Sequence, residues 1–189
     1  MGDLIESYEP IKQDLVMSDI FAESGMFPDI KSKAQALVKV LAGKELGISA
    51  FEAMASIYIF NGKLTLTSKA MASLIKKSPN IDYRVDDLTA EACSISFYQE
   101  VGDKETKLGT STFTFKDAAK AGLVNKDVWK SYPRNMLFSR ALSNGARWFC
   151  PEVLSGYCTT EEVDDIIIEP IKKTIELTEN GVKDGEETV

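Results

Sequence analysis

The chain has 189 residues, no histidine, and 29 acidic against 22 basic side chains, for a formal net charge of −7. With 44% apolar residues it has the composition of a globular domain able to bury a core. The missing histidine excludes Ser-His-Asp and Cys-His catalytic arrangements, histidine general bases and His-bearing zinc sites, and the negative charge weighs at first against a nucleic-acid partner.

In chain order, Ser32–Leu46 predicts a helix from apolar residues Ala36, Leu37, Val40 and Leu41, with Gly47 placed to end it. Ser49, with Glu52 three residues later, opens a second helix in the capping-box pattern. Ile57–Phe60 and Lys63–Thr67 flank Asn61-Gly62, a strong short hairpin signal because a type I′ turn needs φ > 0 at both central residues. Ser68 is placed to cap a third helix, Lys69–Lys77, with Lys76 and Lys77 at its negative end. Ile81–Leu88, Ala92–Val101 and Leu108–Phe115 read as strands. In the second, Cys93, Ile95, Phe97 and Val101 share one face, opposite Ser94, Ser96 and Tyr98. Residues 102–105 supply one of the turns, and Thr114 caps a short helix stopped by Gly122. Pro133 begins a long helix that runs to Phe149 and stops before Pro151. A last helix is expected near Thr160, and a disordered tail after Glu176. Strands thus segregate from helices, which predicts an α+β fold: a β-hairpin plus a three-stranded antiparallel meander packed against several helices, one of them a long C-terminal helix.

Charge divides the chain into unlike parts. Residues 1–30 hold one base against seven acids, or −6, and residues 152–189 hold three bases against eleven acids, or −8, which leaves +7 on residues 31–151. The organisation read from this is an acidic N-terminal segment (1–30), a single core (31–165) and an acidic, disordered tail (166–189). A basic body between acidic ends points to an anionic partner for the body.

Few features suggest catalysis. Cys93, Cys150 and Cys158 are odd in number and widely spaced, which predicts free thiols in a reducing compartment. The phosphate-cradling pattern GxxxxGK[ST] is absent. Asp86-Asp87 and Asp164-Asp165 are paired carboxylates without a nuclease-like lysine, so a metal-dependent nuclease stands only as a minor alternative. The expectation is therefore no catalytic residue, no metal and no cofactor. The first ten residues lack a basic and an apolar signal region, and no apolar run reaches membrane-spanning length, so a soluble, cytoplasmic protein is expected.

The long helix carries the most suggestive pattern. Projected at about 100° per residue, Leu137, Phe138, Ala141, Leu142, Trp148 and Phe149 fall on one arc, and Arg140, Ser143, Asn144 and Arg147 on the other. From Arg134 to Phe149 there are three arginines and no acid, a stripe suited to a phosphate backbone. Just upstream, Lys126, Trp129, Lys130, Tyr132 and Arg134 interleave bases with aromatic rings, the combination by which single strands are held and their bases stacked. Lys63 at the hairpin tip and Lys69 at the third helix add two further candidate phosphate contacts.

Residues 36–48 (ALVKVLAGKELGI), Ala53-Met54, Ile57-Tyr58 and Asn61-Gly62-Lys63, followed by residues 132–143 (YPRNMLFSRALS), Gly145-Ala146-Arg147 and residues 150–156 (CPEVLSG), resemble the phage RecT-like single-strand annealing proteins of the RecT/Red-beta recombinase superfamily. The likeness covers Lys33 to Glu162. It implies a hairpin-plus-meander core on helices and a homo-oligomer, ring or helical filament. It also implies ATP-independent annealing of complementary DNA strands in phage-type homologous recombination, within the cytoplasm of a bacterial host. The implied partners are single-stranded DNA and the annealed duplex intermediate, a phage exonuclease and a host single-strand-binding protein. Carried onto this chain, Lys63, Lys69, Arg134, Arg140 and Arg147 become groove residues, with Trp129 and Tyr132 as stacking residues. The chain is shorter than many members of that family, and the expectation from this is that the module recruiting the host protein is absent or reduced to the acidic tail. A non-enzymatic phage replication or assembly factor, its basic body and acidic ends pairing between copies, is the alternative.

Overall fold

A computed structural model describes residues 2–155 and 157–159, with side chains for residues 11–155, 157 and 159. The chain folds as α+β, with two separate small sheets and seven α-helices among the described residues. The expected helix near Thr160 and the tail lie outside the described residues.

The acidic N-terminal segment forms a helix, α1 (Gly2–Glu23). It lies against α2 (Lys33–Glu45), whose first turn is closed by the Ser32 hydroxyl accepting from the Gln35 N–H. Gly47 takes φ 66° just beyond α2, as its position predicts. Helix α3 (Ala50–Ser56) is capped by Ser49, and Gly43 lets it approach α2, since a Cβ there would sit 2.3 Å from the Ala53 Cβ.

Strands β1 (Ile57–Phe60) and β2 (Lys63–Leu66) form the expected hairpin, with φ 49° at Asn61 and 75° at Gly62. A short strand, β6 (Cys158–Thr159), adds to β2 in parallel, so this sheet is not purely antiparallel. In α4 (Ser68–Lys77), Thr67 rather than Ser68 is the cap: its side chain accepts from the Ala70 N–H. Either hydroxyl fits the local pattern, and the chain's exit from β2 selects the first.

The second sheet is the meander β3 (Ile81–Leu88), β4 (Ala92–Val101) and β5 (Lys104–Thr114), all antiparallel. Strand β5 starts earlier than the sequence suggests: Lys104 pairs with Val101, so the turn is Gly102-Asp103 alone, with Gly102 at φ 63°. Capped by Thr114 and Asp117 in a reciprocal box, α5 (Phe115–Lys120) follows, then α6 (Asp127–Ser131) and α7 (Pro133–Phe149).

Helix α7 covers one face of the meander. Phe97 and Cys93 on β4 are fully buried there, and Gly145 and Gly109 bring helix and sheet together. A Cβ on Gly145 would fall 2.1 Å from the Phe97 ring, and one on Gly109 2.3 Å from the Phe149 ring. The other face carries hydroxyl pairs, Ser94 with Thr112 at 2.8 Å and Ser96 with Thr110 at 2.9 Å, which satisfy side chains away from the apolar core. Cys93 and Cys150 are buried free thiols. Burial pushes them up to about 11 and about 12, which leaves them protonated and unreactive at neutral pH. No helix among the described residues is long and apolar enough to cross a membrane.

Candidate nucleic-acid interface

Helix α7 organises the candidate residues, but not as a simple two-sided helix. Besides the meander it touches α4, α6 and the 3-10 turn Pro151–Leu154. Neighbours on several sides bury residues that the periodic reading assigns to the polar face, Ser143 among them, and bury Ser139 as well. Arg140 belongs to this group. It is 8% exposed and does not share an open stripe with Arg147, which is exposed. The two arginines lie two turns apart, but only the C-terminal one reaches the surface. Asn144, between them, is half-buried.

Trp129 also departs from expectation. It is 1% exposed and packs against Phe113 with ring centroids 6.3 Å apart, so its ring is a core element and not a stacking platform. A short amphipathic turn explains this: α6 points Trp129 inward while leaving Val128 and Lys130 outside. Tyr132, one turn later, is 64% exposed and remains available to a planar ligand. Its backbone, at φ −136°, precedes Pro133, which blocks a helical conformation at that residue and holds Tyr132 outside α7.

The remaining candidates fall into separate places. Lys126, Lys130, Tyr132 and Arg134 are exposed residues of one continuous stretch from the start of α6 to the first turn of α7. Lys130 meets Asp127 at 3.6 Å, a solvated pair that contributes little and leaves the ammonium accessible. Arg134 donates from Nη2 to the Leu88 carbonyl at 2.9 Å, which anchors the guanidinium over the end of β3. Lys116 and Lys120 of α5 are exposed bases nearby in the chain. Lys63 and Lys69 are exposed on the hairpin and on α4, apart in the chain from the α6–α7 stretch.

At the far end of α7 the structure offers a residue that periodicity assigns to the core. Trp148 is 59% exposed, beside Arg147, with its ring edge-on to Phe149 at 6.2 Å. On the projection it lies close to Leu137, which is fully buried three turns earlier. The last turn stays packed through Ala146 and Phe149, and Trp148 is open although these neighbours in the same turn are covered. Arg134 and Arg147 are 13 residues apart, about 20 Å along the helix and about 140° apart around it, so they mark its two ends on different sides.

Asp86 sits in a β-bulge of β3 and accepts a hydrogen bond from Ser96, a structural role on the hydroxyl face. Asp164 and Asp165 lie outside the described residues. Compared with known proteins, the chain matches no family model and no curated protein.

Proposed function

We propose that this protein binds single-stranded DNA and anneals complementary strands without ATP, as a homo-oligomer acting in phage-type recombination. One observation carries the reading. An acid-free helix exposes a base and an aromatic ring at each end, Tyr132 and Arg134 at one and Arg147 and Trp148 at the other, within a segment of charge +7. Such an arrangement grips the backbone electrostatically and leaves rings for bases, without requiring any bond to be made or broken. The RecT-like pattern in residues 33–162 supports the same reading.

The test is oligonucleotide binding at two salt concentrations, followed by ATP-free annealing of two complementary strands. Four phosphate contacts, from Lys126, Lys130, Arg134 and Arg147, give a log–log salt slope of about −3 on a single strand, so affinity falls roughly 50-fold from 50 to 200 mM salt. Arg134→Glu with Arg147→Glu should abolish binding and leave the oligomer intact, which separates annealing from a purely protein-binding role. Salt-independent binding, or no annealing at protein excess, overturns the reading.

A further inference from the structure

Helix α1 packs Phe21 and Ala22 against the core but leaves other apolar residues exposed. It meets α2 through Asp14, Ser18, Phe21 and Ala22, of which the first two are buried polar residues held by the Asp14–Lys44 ion pair at 2.6 Å and by the Ser18 hydroxyl donating to the Asp14 carbonyl. The opposite side presents Val16, 59% exposed, Ile20, 61% exposed, and Met17. An amphipathic helix normally buries such residues, and a contiguous exposed apolar face on a folded domain marks an interaction surface.

A second uncovered apolar surface lies elsewhere on the same chain. Ala34, Gln35 and Val38 of α2, with Ile59, Gly62 and Leu64 of the hairpin, line an open groove of about 270 Å³. Val38 is 47% exposed within it. The open side of α1 faces away from α2, so a chain cannot seat its own α1 in its own groove.

We infer that α1 of one copy docks, through Val16, Met17 and Ile20, into the α2–hairpin groove of a second copy of this chain. Charge complementarity favours that occupant. The first nine residues of α1 carry Asp3, Glu6 and Glu9 and no base. Lys31 and Lys63 flank the groove in the chain, and neither has an ion pair among the described residues. Two different surfaces meet, so the contact is heterologous. Repetition of such a contact closes a ring or extends a filament. The inference rests on the annealing reading only in calling for an oligomer, and it supplies the surfaces that would form one.

Light scattering on the full chain without DNA tests the docking through a complementation experiment. Wild type should form assemblies that are multiples of 20.8 kDa. Ile20→Glu destroys the inserted face and Val38→Glu the groove, and each alone should run as a monomer with unchanged circular dichroism. Mixed one to one, they retain a single intact interface per pair, because the groove of the first variant accepts the α1 of the second. The mixture should therefore stop at dimers. Should either variant fail to fold, Met17→Glu and Ala34→Glu pose the same question. A monomeric wild type, variants that keep the wild-type mass, or a mixture that stays monomeric overturns the inference. An α1–α1 pairing is recognised by Val38→Glu retaining the wild-type assembly, which also overturns it. Oligonucleotide anisotropy on the same samples reads the annealing proposal separately: assembly as expected without DNA binding removes that proposal and leaves the interface standing.

Discussion

The two tryptophans make opposite predictions that one spectroscopic experiment can read. Trp129 is closed into the core against Phe113, whereas Trp148 is largely open to solvent. Truncating Trp129 to alanine removes a fully buried aromatic ring and should cost about 3–5 kcal/mol of stability. Trp148→Ala touches no buried surface of comparable size, so stability should stay within about 0.5 kcal/mol of wild type. For strand binding the order reverses. Stacking of a base on an aromatic ring contributes about 1–3 kcal/mol. Trp148 already uses part of its surface on Phe149, which places the expected loss for Trp148→Ala near 1–2 kcal/mol, a 5- to 30-fold weaker affinity. Trp148→Phe keeps a stacking face and should lose less. The assay is intrinsic fluorescence during titration with an unlabelled single-stranded oligonucleotide, with affinities checked by anisotropy of a labelled one. Wild-type emission should be quenched on binding. In Trp148→Phe, where only the buried Trp129 emits, quenching should vanish while binding persists. Wild-type affinity in Trp148→Ala, or quenching that survives in Trp148→Phe, refutes the placement of the strand along α7.

Gly145→Ala would force a methyl group to within 2.1 Å of the Phe97 ring and 2.8 Å of the Ser111 Cβ. Helix propensity alone favours alanine by about 1 kcal/mol, but overpacking of this kind costs about 1–3 kcal/mol or more. Net destabilisation is therefore expected in urea denaturation, and a stabilised variant would show that α7 does not sit this close to the meander. Lys39 is fully buried and donates to both Asp29 oxygens, at 3.0 and 3.3 Å, and to the Met54 carbonyl at 2.9 Å, while Asp29 also accepts from the Ile59 N–H. Asp29→Asn strands a buried ammonium and should cost about 3–5 kcal/mol. Loss of the Lys39 proton bounds the penalty at about 1.4 kcal/mol per pH unit below 10.5, close to 5 kcal/mol at pH 7. Adding Lys39→Met should recover most of that loss, and a double variant no more stable than Asp29→Asn alone refutes the coupling. Burial, opposed by Asp29, lowers the Lys39 pKa below 10.5. From that lowered value up to 10.5 the unfolded chain binds the extra proton, so stability from this residue rises with pH. Lys39→Met should flatten that rise in denaturation curves at alkaline pH.

Much of the local structure was legible because it depends on short-range chemistry. Asn61-Gly62 dictates a turn since both residues must take positive φ, and both do. Ser32, Ser49 and Thr114 start helices because their side chains satisfy N–H groups that the helix leaves open. Pro133 and the apolar spacing set the extent of α7, and alternation along β4 separates Phe97 from Ser96. The acidic segment 1–30 yielded only its charge to sequence reading. Its helix is held to α2 by the Asp14–Lys44 ion pair and by Phe21 and Ala22, while Val16, Met17 and Ile20 stay exposed. A hydrophobic pattern alone cannot tell which side of a helix a neighbour will cover.

The same distinction governs the candidate site. The sequence by itself determined the hairpin, the meander, the long helix and the concentration of positive charge between acidic ends, because capping, alternation, turn chemistry and charge are properties of neighbouring residues. Only the tertiary structure decided that Trp129 and Arg140 are enclosed while Trp148 is open. Helical periodicity describes direction around an axis, but exposure depends on which neighbouring elements pack against each direction at each turn.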